Sequence, residues 1–419
     1  MREVDRYWLE LFNENGILAK IQKEGFYEIS AKLINTKKEA RLMTKFDNEN
    51  SLPEIFKQYN LGILPNTRGT YIIAPMKLYE KINIENDEIE TVQVIFPDYI
   101  ESIKIDEITS EAIALNAAFI SNILQDFLGE ELYPTINGRM GSKEFNFNVE
   151  LHEKEKINIQ VKNSQIEIDA GYESLSKLYL IEAKNNLIES FLIRQLYYPY
   201  RLWKEKMKKE VVPIFFIYSN GTFRIYKYMF SDETEYNSLK LIKSKKYTFI
   251  DKEIYLDDIL SILENIKRNN NSLHCPQADS FERLISICES IKRDGVKKSY
   301  EIKEEQDFTM RQSNYYLSAG RLLNLFEVSK KGEYNLTSTG NFIFSQGYRK
   351  RHLLLVKEIL KIKIFRDSLN YYFENFDYLP ANEIISYLIK FYKINETTAR
   401  RRTSTIIGWT KWILNLIDN

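Results

Sequence analysis

Between residues 144 and 230 the chain passes through EFNFNVE, INIQVKNSQIEID, LYLIEAK, VVPIFFIY and TFRIYKYMF, with one stretch of helical length at about 187–208 between the third and fourth. EFNFNVE alternates apolar and polar residues, and successive strand side chains point to opposite faces. The other segments read as further strands, and Ser219-Asn220-Gly221 supplies a hairpin turn before the last. Several strands and one crossing helix confine the middle of the chain to a mixed α/β core.

Upstream, TSEAIALNAAFISNILQDFL (109–128) has apolar residues at helical spacing, with Thr109 or Ser110 as N-cap. PTINGRMGS then reads as a loop whose glycines flank Arg139. The first hundred residues open with an amphipathic helix (Tyr7, Leu9, Leu11, Phe12) and continue as short strands and turns, including RLMTKFD, ILPNTRGTYIIAP and VQVIFP. A chain of 419 residues exceeds one ordinary domain. The hydrophilic KRNNNSLHCPQADS marks a linker, beyond which FERLISICESIKRDG, SYEIKEEQDF and TMRQSNYYLSAGRLLNLFEV read as helices and EYNLTSTG as a strand and turn. Helix, helix, helix and wing is the order of a winged helix-turn-helix. VKEILK, ANEIISYLIKFY and ETTARRRTSTIIGWTKWIL partly repeat it. The expected class is therefore α+β and multidomain: an α+β domain at 1–100, a central mixed-sheet domain flanked by helices at 101–266, a linker at 267–279, and helix-turn-helix modules at 280–346 and 347–419.

Lys plus Arg and Asp plus Glu balance at 59 each, so no global positive field points to nucleic acid and the local distribution matters. Residues 85–131 hold twelve acids against the single base Lys104, a face that should avoid a polyanion. Residues 341–419 hold thirteen Lys plus Arg against seven Asp plus Glu, the better end for touching phosphate. Cys275 and Cys288 form no CxxC pair, and His152, His274 and His352 are scattered, which supports neither a disulfide framework nor a zinc site. The charged start MREVDRYWLELFNENG lacks a signal peptide's apolar core, and no run of about eighteen apolar residues occurs. A soluble cytoplasmic protein without a membrane partner is expected.

The chemistry-bearing residues lie at the ends of two of the strands. Asp169 closes QIEID, where Ile166 and Ile168 face the core and Glu167 and Asp169 the other side; Glu182 and Lys184 share one face of LYLIEAK while Ala183 turns inward. A hairpin through Gly171 would bring Asp169 beside Glu182. Phosphodiester hydrolysis needs a cation to gather negative charge, a water acidified by it, and a positive group for the oxygens that attack and leave. Two carboxylates, with the Ala183 carbonyl as a third oxygen, suit Mg2+, and Lys184 supplies the charge. An ExK triplet alone is equally a surface salt bridge; its context of strand, strand and following helix separates the readings. Glu111 could serve as a further acid or act on the helix dipole, and Gln195 could touch phosphate or be a helix-surface glutamine. Glu167 could bind a second metal.

GRMGSKEFNF, QIEIDAGYES, LIEAKNN and FLIRQLYYPYRLW resemble type II restriction endonucleases of the PD-(D/E)xK superfamily, and the likeness extends through RLMTKFD and RQSNYYLSAGRLLNL. Ile168 stands where the literal motif has Pro. The resemblance implies Mg2+-dependent cleavage of double-stranded DNA at a short sequence, with Asp169 and Glu182 as metal ligands and Lys184 as the catalytic cation. It also implies a cognate DNA methyltransferase as functional partner, and cutting both strands is simplest for a homodimer. DNA contacts are expected from Arg139, Arg41 and Arg68, from Arg311, Gln312, Asn314 and Tyr315 at the start of a recognition helix, and from Arg400, Arg401 and Arg402. The rivals are a structure-specific repair or mobile-element nuclease and a non-catalytic winged-helix DNA-binding protein.

Overall fold

The computed structural model describes residues 2–84, 89–153, 155–249, 253–266 and 275–417. Residues 267–274 of the expected linker, with His274, lie outside the described residues, as do Glu85, Asp87 and Glu88 of the acidic stretch. The chain forms two compact units: Met1–Val92 with Ser110–Tyr218 and Phe223–Tyr247, and Gln93–Thr109 with Ser219–Thr222 and Thr248–Asn419. The class is α+β, and no helix among the described residues is long and apolar enough to cross a membrane.

In the first unit, a mixed seven-stranded sheet runs in the order Thr91–Val94, Leu239–Phe249, Thr222–Phe230, Glu210–Ser219, Lys177–Lys184, Gln165–Glu173, Tyr133–Gly141. Lys177–Lys184 lies parallel to Glu210–Ser219 and antiparallel to Gln165–Glu173. A parallel neighbour needs a crossover connection, and helix Arg194–Lys206 makes it. That helix buries Leu196, Tyr197, Tyr198 and Leu202. Phe145 and Phe147, from the hairpin of Glu144–Glu150 with Lys156–Lys162, meet Tyr198 and Tyr197 edge-on with ring centres 5.4 and 4.9 Å apart. Arg201 is buried with them, its Nη1 donating to the carbonyls of Asn146 and Glu233 at 2.9 and 2.8 Å. A three-stranded sheet of Tyr27–Ser30, Thr70–Ala74 and Gly62–Pro65 packs with helix Glu3–Asn15 around Trp8, Phe12 and Phe56.

Several local expectations are corrected. The 109–128 helix is two, Glu111–Ile120 and Ile123–Leu128, because Asn122 adopts a left-handed φ of 60°; asparagine tolerates that region. Ser110 is the N-cap, its hydroxyl accepting from the Ile113 N–H at 3.2 Å. PTINGRMGS is not a loop: Tyr133–Gly141 is the outermost strand of the sheet, pairing irregularly with Gln165–Glu173. An edge strand tolerates proline, and bulges accommodate glycine. The hairpin does not turn at Gly171. Its strand continues to Glu173 and turns through 174–176, where Ser174 N–H donates to the Lys177 carbonyl at 2.9 Å. Gly171 is needed for another reason, since a Cβ there would come within 2.8 Å of Ile136 Cβ. The helix expected at 187–208 is shortened to Arg194–Lys206, as Ser190–Leu192 pairs with Tyr79–Lys81. In RLMTKFD, Ala40–Met43 is helical rather than extended.

The second unit has its own core, including Phe281, Leu284, Leu317, Phe365 and Trp409. Helices Phe281–Asp294, Ser299–Glu305 and Met310–Leu322 accompany a small sheet in the order Lys297–Lys298, Glu333–Leu336, Phe326–Val328. Helix Tyr348–Leu360 covers VKEILK, and a helix unforeseen in the sequence, Lys363–Asn375, precedes Ala381–Tyr392 and Glu396–Leu414. Phe365 from this added helix stacks on Trp409 at 5.0 Å, which ties it to the core.

Candidate active site

Asp169 and Glu182 come from neighbouring antiparallel strands of the central sheet, just beyond the paired residues Ala170 and Ile181. Pairing sets the two carboxylates side by side, and a main-chain bond locks them there: the Ala183 N–H donates to Asp169 Oδ2 at 2.8 Å. Lys184 reaches back along its own strand, Nζ lying 2.5 Å from Glu182 Oε1. The same oxygen accepts from Gln195 Nε2 at 2.5 Å, so the first turn of the crossover helix completes the cluster. Asp169, Glu182, Lys184 and Gln195 are therefore gathered in one place, and the isolated surface salt bridge is not the geometry found, since Glu182 is only 8% exposed.

Burial dominates the electrostatics. It pushes the Glu182 carboxyl up to about 8; Lys184 pulls it down, while the charges of Asp169 and Asp47 add to the rise. Asp169 is raised by burial too, against the Ala183 N–H and Lys184, with Glu167 and Asp47 adding to the rise. Burial alone would lower the Lys184 ammonium, yet Glu182, Asp47 and Glu111 outweigh it and hold the group above its usual range. Glu111, in the first turn of helix Glu111–Ile120, is thus an electrostatic neighbour of Lys184.

The donor set fits a hard divalent cation. Its oxygens are the Asp169 and Glu182 carboxyls and the buried Gln195 Oε1, which has no hydrogen-bond partner. Among the described residues no three His, Cys, Asp or Glu side chains are grouped to hold a metal ion by themselves. A cation here would draw on Asp169, Glu182, the Ala183 carbonyl and water, a shell that suits magnesium. A small cavity lined by Glu167, Ile168, Glu182, Gln195, Leu196 and Pro199 adjoins the cluster.

The remaining residues singled out in the sequence, and with them Glu173 and Arg194, lie elsewhere or have other partners. Arg139 sits on the edge strand with its Nε 3.1 Å from Glu167 Oε1, and Glu173 is bound by Lys209 at 2.6 Å. Arg194 lies over the Tyr198 ring at 5.6 Å. Arg41 pairs with Glu39 at 2.6 Å, and Arg68 is exposed near Gly141. In the second unit, Arg311 and Asn314 are exposed on helix Met310–Leu322, Arg311 Nε donating to Tyr315 Oη at 2.8 Å. Gln312 is engaged by the helix start itself, its Oε1 accepting from the Thr309 N–H at 2.8 Å in a capping box. Arg400 pairs with Glu396 at 2.5 Å, Arg401 is exposed, and Arg402 turns one guanidinium nitrogen inward. That divergence follows from the 100° turn between successive helical residues.

Asp47 escaped the sequence reading. It lies in an irregular segment after helix Ala40–Met43, with no periodicity to mark it. RLMTKFD carries part of the family likeness and the basic Arg41, but nothing in it sets Asp47 apart.

Residues 5–73, 74–248 and 283–418 match three families, each described as a domain of unknown function: DUF6996, DUF6997 and DUF7226, respectively. No curated protein and no solved structure matches the chain.

Proposed function

We propose that this chain is a Mg2+-dependent type II restriction endonuclease, hydrolysing double-stranded DNA at a PD-(D/E)xK site and holding its target partly through C-terminal winged-helix modules. The observation that carries the reading is the locked pair itself: Asp169 Oδ2 accepts from the Ala183 N–H at 2.8 Å, with Lys184 Nζ on Glu182 Oε1 at 2.5 Å. Helix Glu111–Ile120 before strand Tyr133–Gly141, antiparallel strands for the two acids and a helix crossing to a parallel strand support this reading. In the second unit, three helices with a three-stranded sheet support the winged-helix reading.

In this proposal Asp169, Glu182 and the Ala183 carbonyl would hold the magnesium ion, which supplies an acidified water and neutralises phosphate charge. Lys184 orients the attacking water and stabilises charge gathering on the scissile phosphate. Gln195 fixes the Glu182 carboxylate, and the exposed faces carrying Arg311, Asn314 and Arg401 bind DNA. A homodimer would present two such sites to the two strands, and a cognate methyltransferase would protect host sequences.

The test is incubation of the full chain with phage DNA and Mg2+, followed by sequencing of the fragment ends. Discrete ends at one short sequence are expected. A smear, or preference for branched substrates regardless of sequence, would give the function to a nonspecific or structure-specific nuclease; bound but intact DNA would leave only the non-catalytic binder.

A further inference from the structure

We propose that the second unit carries a stacking platform for single-stranded nucleic acid, built from Tyr387 and Phe391 on helix Ala381–Tyr392 and flanked by Lys363, Lys390 and Lys393. The platform takes unpaired bases, and its existence does not depend on the cleavage chemistry assigned to Glu182.

Helical phase places Phe391 with the residues that face the core. Ile384, Leu388 and Phe391 fall at i, i+4 and i+7, one stripe of the helix. Ile384 and Leu388 are 1% and 0% exposed, yet Phe391 is 58% exposed. The last turn of the apolar stripe therefore turns a phenyl ring to solvent. An isolated exposed apolar side chain is ordinary, but Phe391 is backed. The Tyr387 ring lies 4.4 Å from it at an interplanar angle of 30° and is itself packed against the core of the unit. Cations frame the pair. Lys390 Nζ lies 5.7 Å from the centre of the Phe391 ring, and Lys363 Nζ, from helix Lys363–Asn375, lies 5.8 Å from that of Tyr387. Lys363 is paired with Asp367. No carboxylate among the described residues pairs with the exposed Lys390 or with the exposed Lys393, which closes the helix in a left-handed conformation. Two ammonium groups without a counter-ion beside supported aromatic faces suit a ligand in which phosphates alternate with flat rings. Single-stranded nucleic acid is such a ligand, since every base offers a π-face. A duplex keeps its base faces inside its own stack and could use the lysines but not the rings. A second copy of the chain on the same face would bring lysines against lysines, which like-charge repulsion opposes.

Fluorescence anisotropy of a labelled oligothymidylate of about 15 nucleotides, added to the full chain in EDTA, reads this binding without turnover. Phe391→Ala and Phe391→Leu should each weaken it by about 5-fold or more. Phe391→Trp should retain it, and none of the three should change affinity for a duplex of the same length. Lys390→Gln should flatten the slope of log affinity against log salt by about 0.7. If Phe391→Leu binds the single strand as the unaltered chain does, stacking is overturned. If Phe391→Ala loses duplex binding equally, the surface does not select unpaired bases and the inference fails. If Phe391→Ala abolishes a concentration-dependent dimer in sedimentation while single-strand binding persists, a second copy is the occupant instead. Should a Phe391 variant fail to fold, the Lys390→Gln slope decides, and an unchanged slope overturns the platform. An unaltered chain that ignores the single strand at micromolar concentration overturns it too. In each of these cases discrete cleavage of phage DNA would leave the nuclease reading standing.

Discussion

Replacing Glu182 by Gln should stabilise the cation-free protein while abolishing cleavage, and the gain should grow with pH. Folding raises this carboxyl from an ordinary value of 4.5 to about 8. Between those limits the folded state holds a proton that the unfolded chain has released. Stability contributed by the neutral form is therefore lost progressively as pH rises through that window. Gln imitates the protonated form at every pH. Each tenfold change in proton affinity corresponds to about 1.4 kcal/mol, so the ceiling on the gain is on the order of 4 kcal/mol at pH 8 and under about 1 kcal/mol at pH 5. Relaxation and water entering the adjacent cavity reduce such penalties, which leaves about 2 kcal/mol at pH 8. For a unit of this size that is roughly 4–8 °C in melting temperature. Calorimetric melts of the two proteins in EDTA from pH 5 to pH 9 would measure it. A difference that stays constant with pH, or widens in favour of Glu182, refutes the reasoning. Adding Ca2+ gives an independent arm: it should raise the melting temperature of the unaltered protein at pH 8 and leave Glu182→Gln nearly unmoved.

Lys184→Ala should lower cleavage by at least about 100-fold while filter binding of DNA stays largely intact; persistent cutting with Mg2+ would show the assigned site to be wrong. Arg401→Ala should weaken DNA binding and flatten the slope of log affinity against log salt by about 1, measured by fluorescence anisotropy across a salt series. Gly340→Ala should destabilise the second unit by about 1–3 kcal/mol, because the new Cβ would lie 2.4 Å from the Leu325 carbonyl oxygen; equilibrium denaturation measures the loss.

Local pattern carried far in some places and stopped short in others. The alternation in EFNFNVE and the apolar run of LYLIEAK each became a strand, and the helical spacing after Ser110 became helix, because alternation and helical period are properties of neighbouring residues. Where an element's state depends on a partner, the pattern misled. Tyr133–Gly141 is rich in turn formers, yet it is a strand because the exposed ladder of Gln165–Glu173 is satisfied by it. Ser190–Leu192 left the expected helix because Tyr79–Lys81 offered pairing.

The candidate site divides along the same line. Asp169, Glu182 and Lys184 were legible in the sequence, since two lie on one strand at a spacing that shares a face and the third lies on the adjoining strand. Gln195 was visible as a residue of the following helix, but its bond to Glu182 was not. Nothing local distinguishes Asp47 from any other acid in an irregular segment. Only the folding of a distant part of the chain against Ser190–Leu192 carries its charge to the buried pair, since Coulomb interactions depend on distance in space and not along the sequence. Which side chains could do the chemistry is written in the local order of residues; their burial comes from packing between distant segments, and with it the Glu182 carboxyl is held above its usual range even with Lys184 at 2.5 Å.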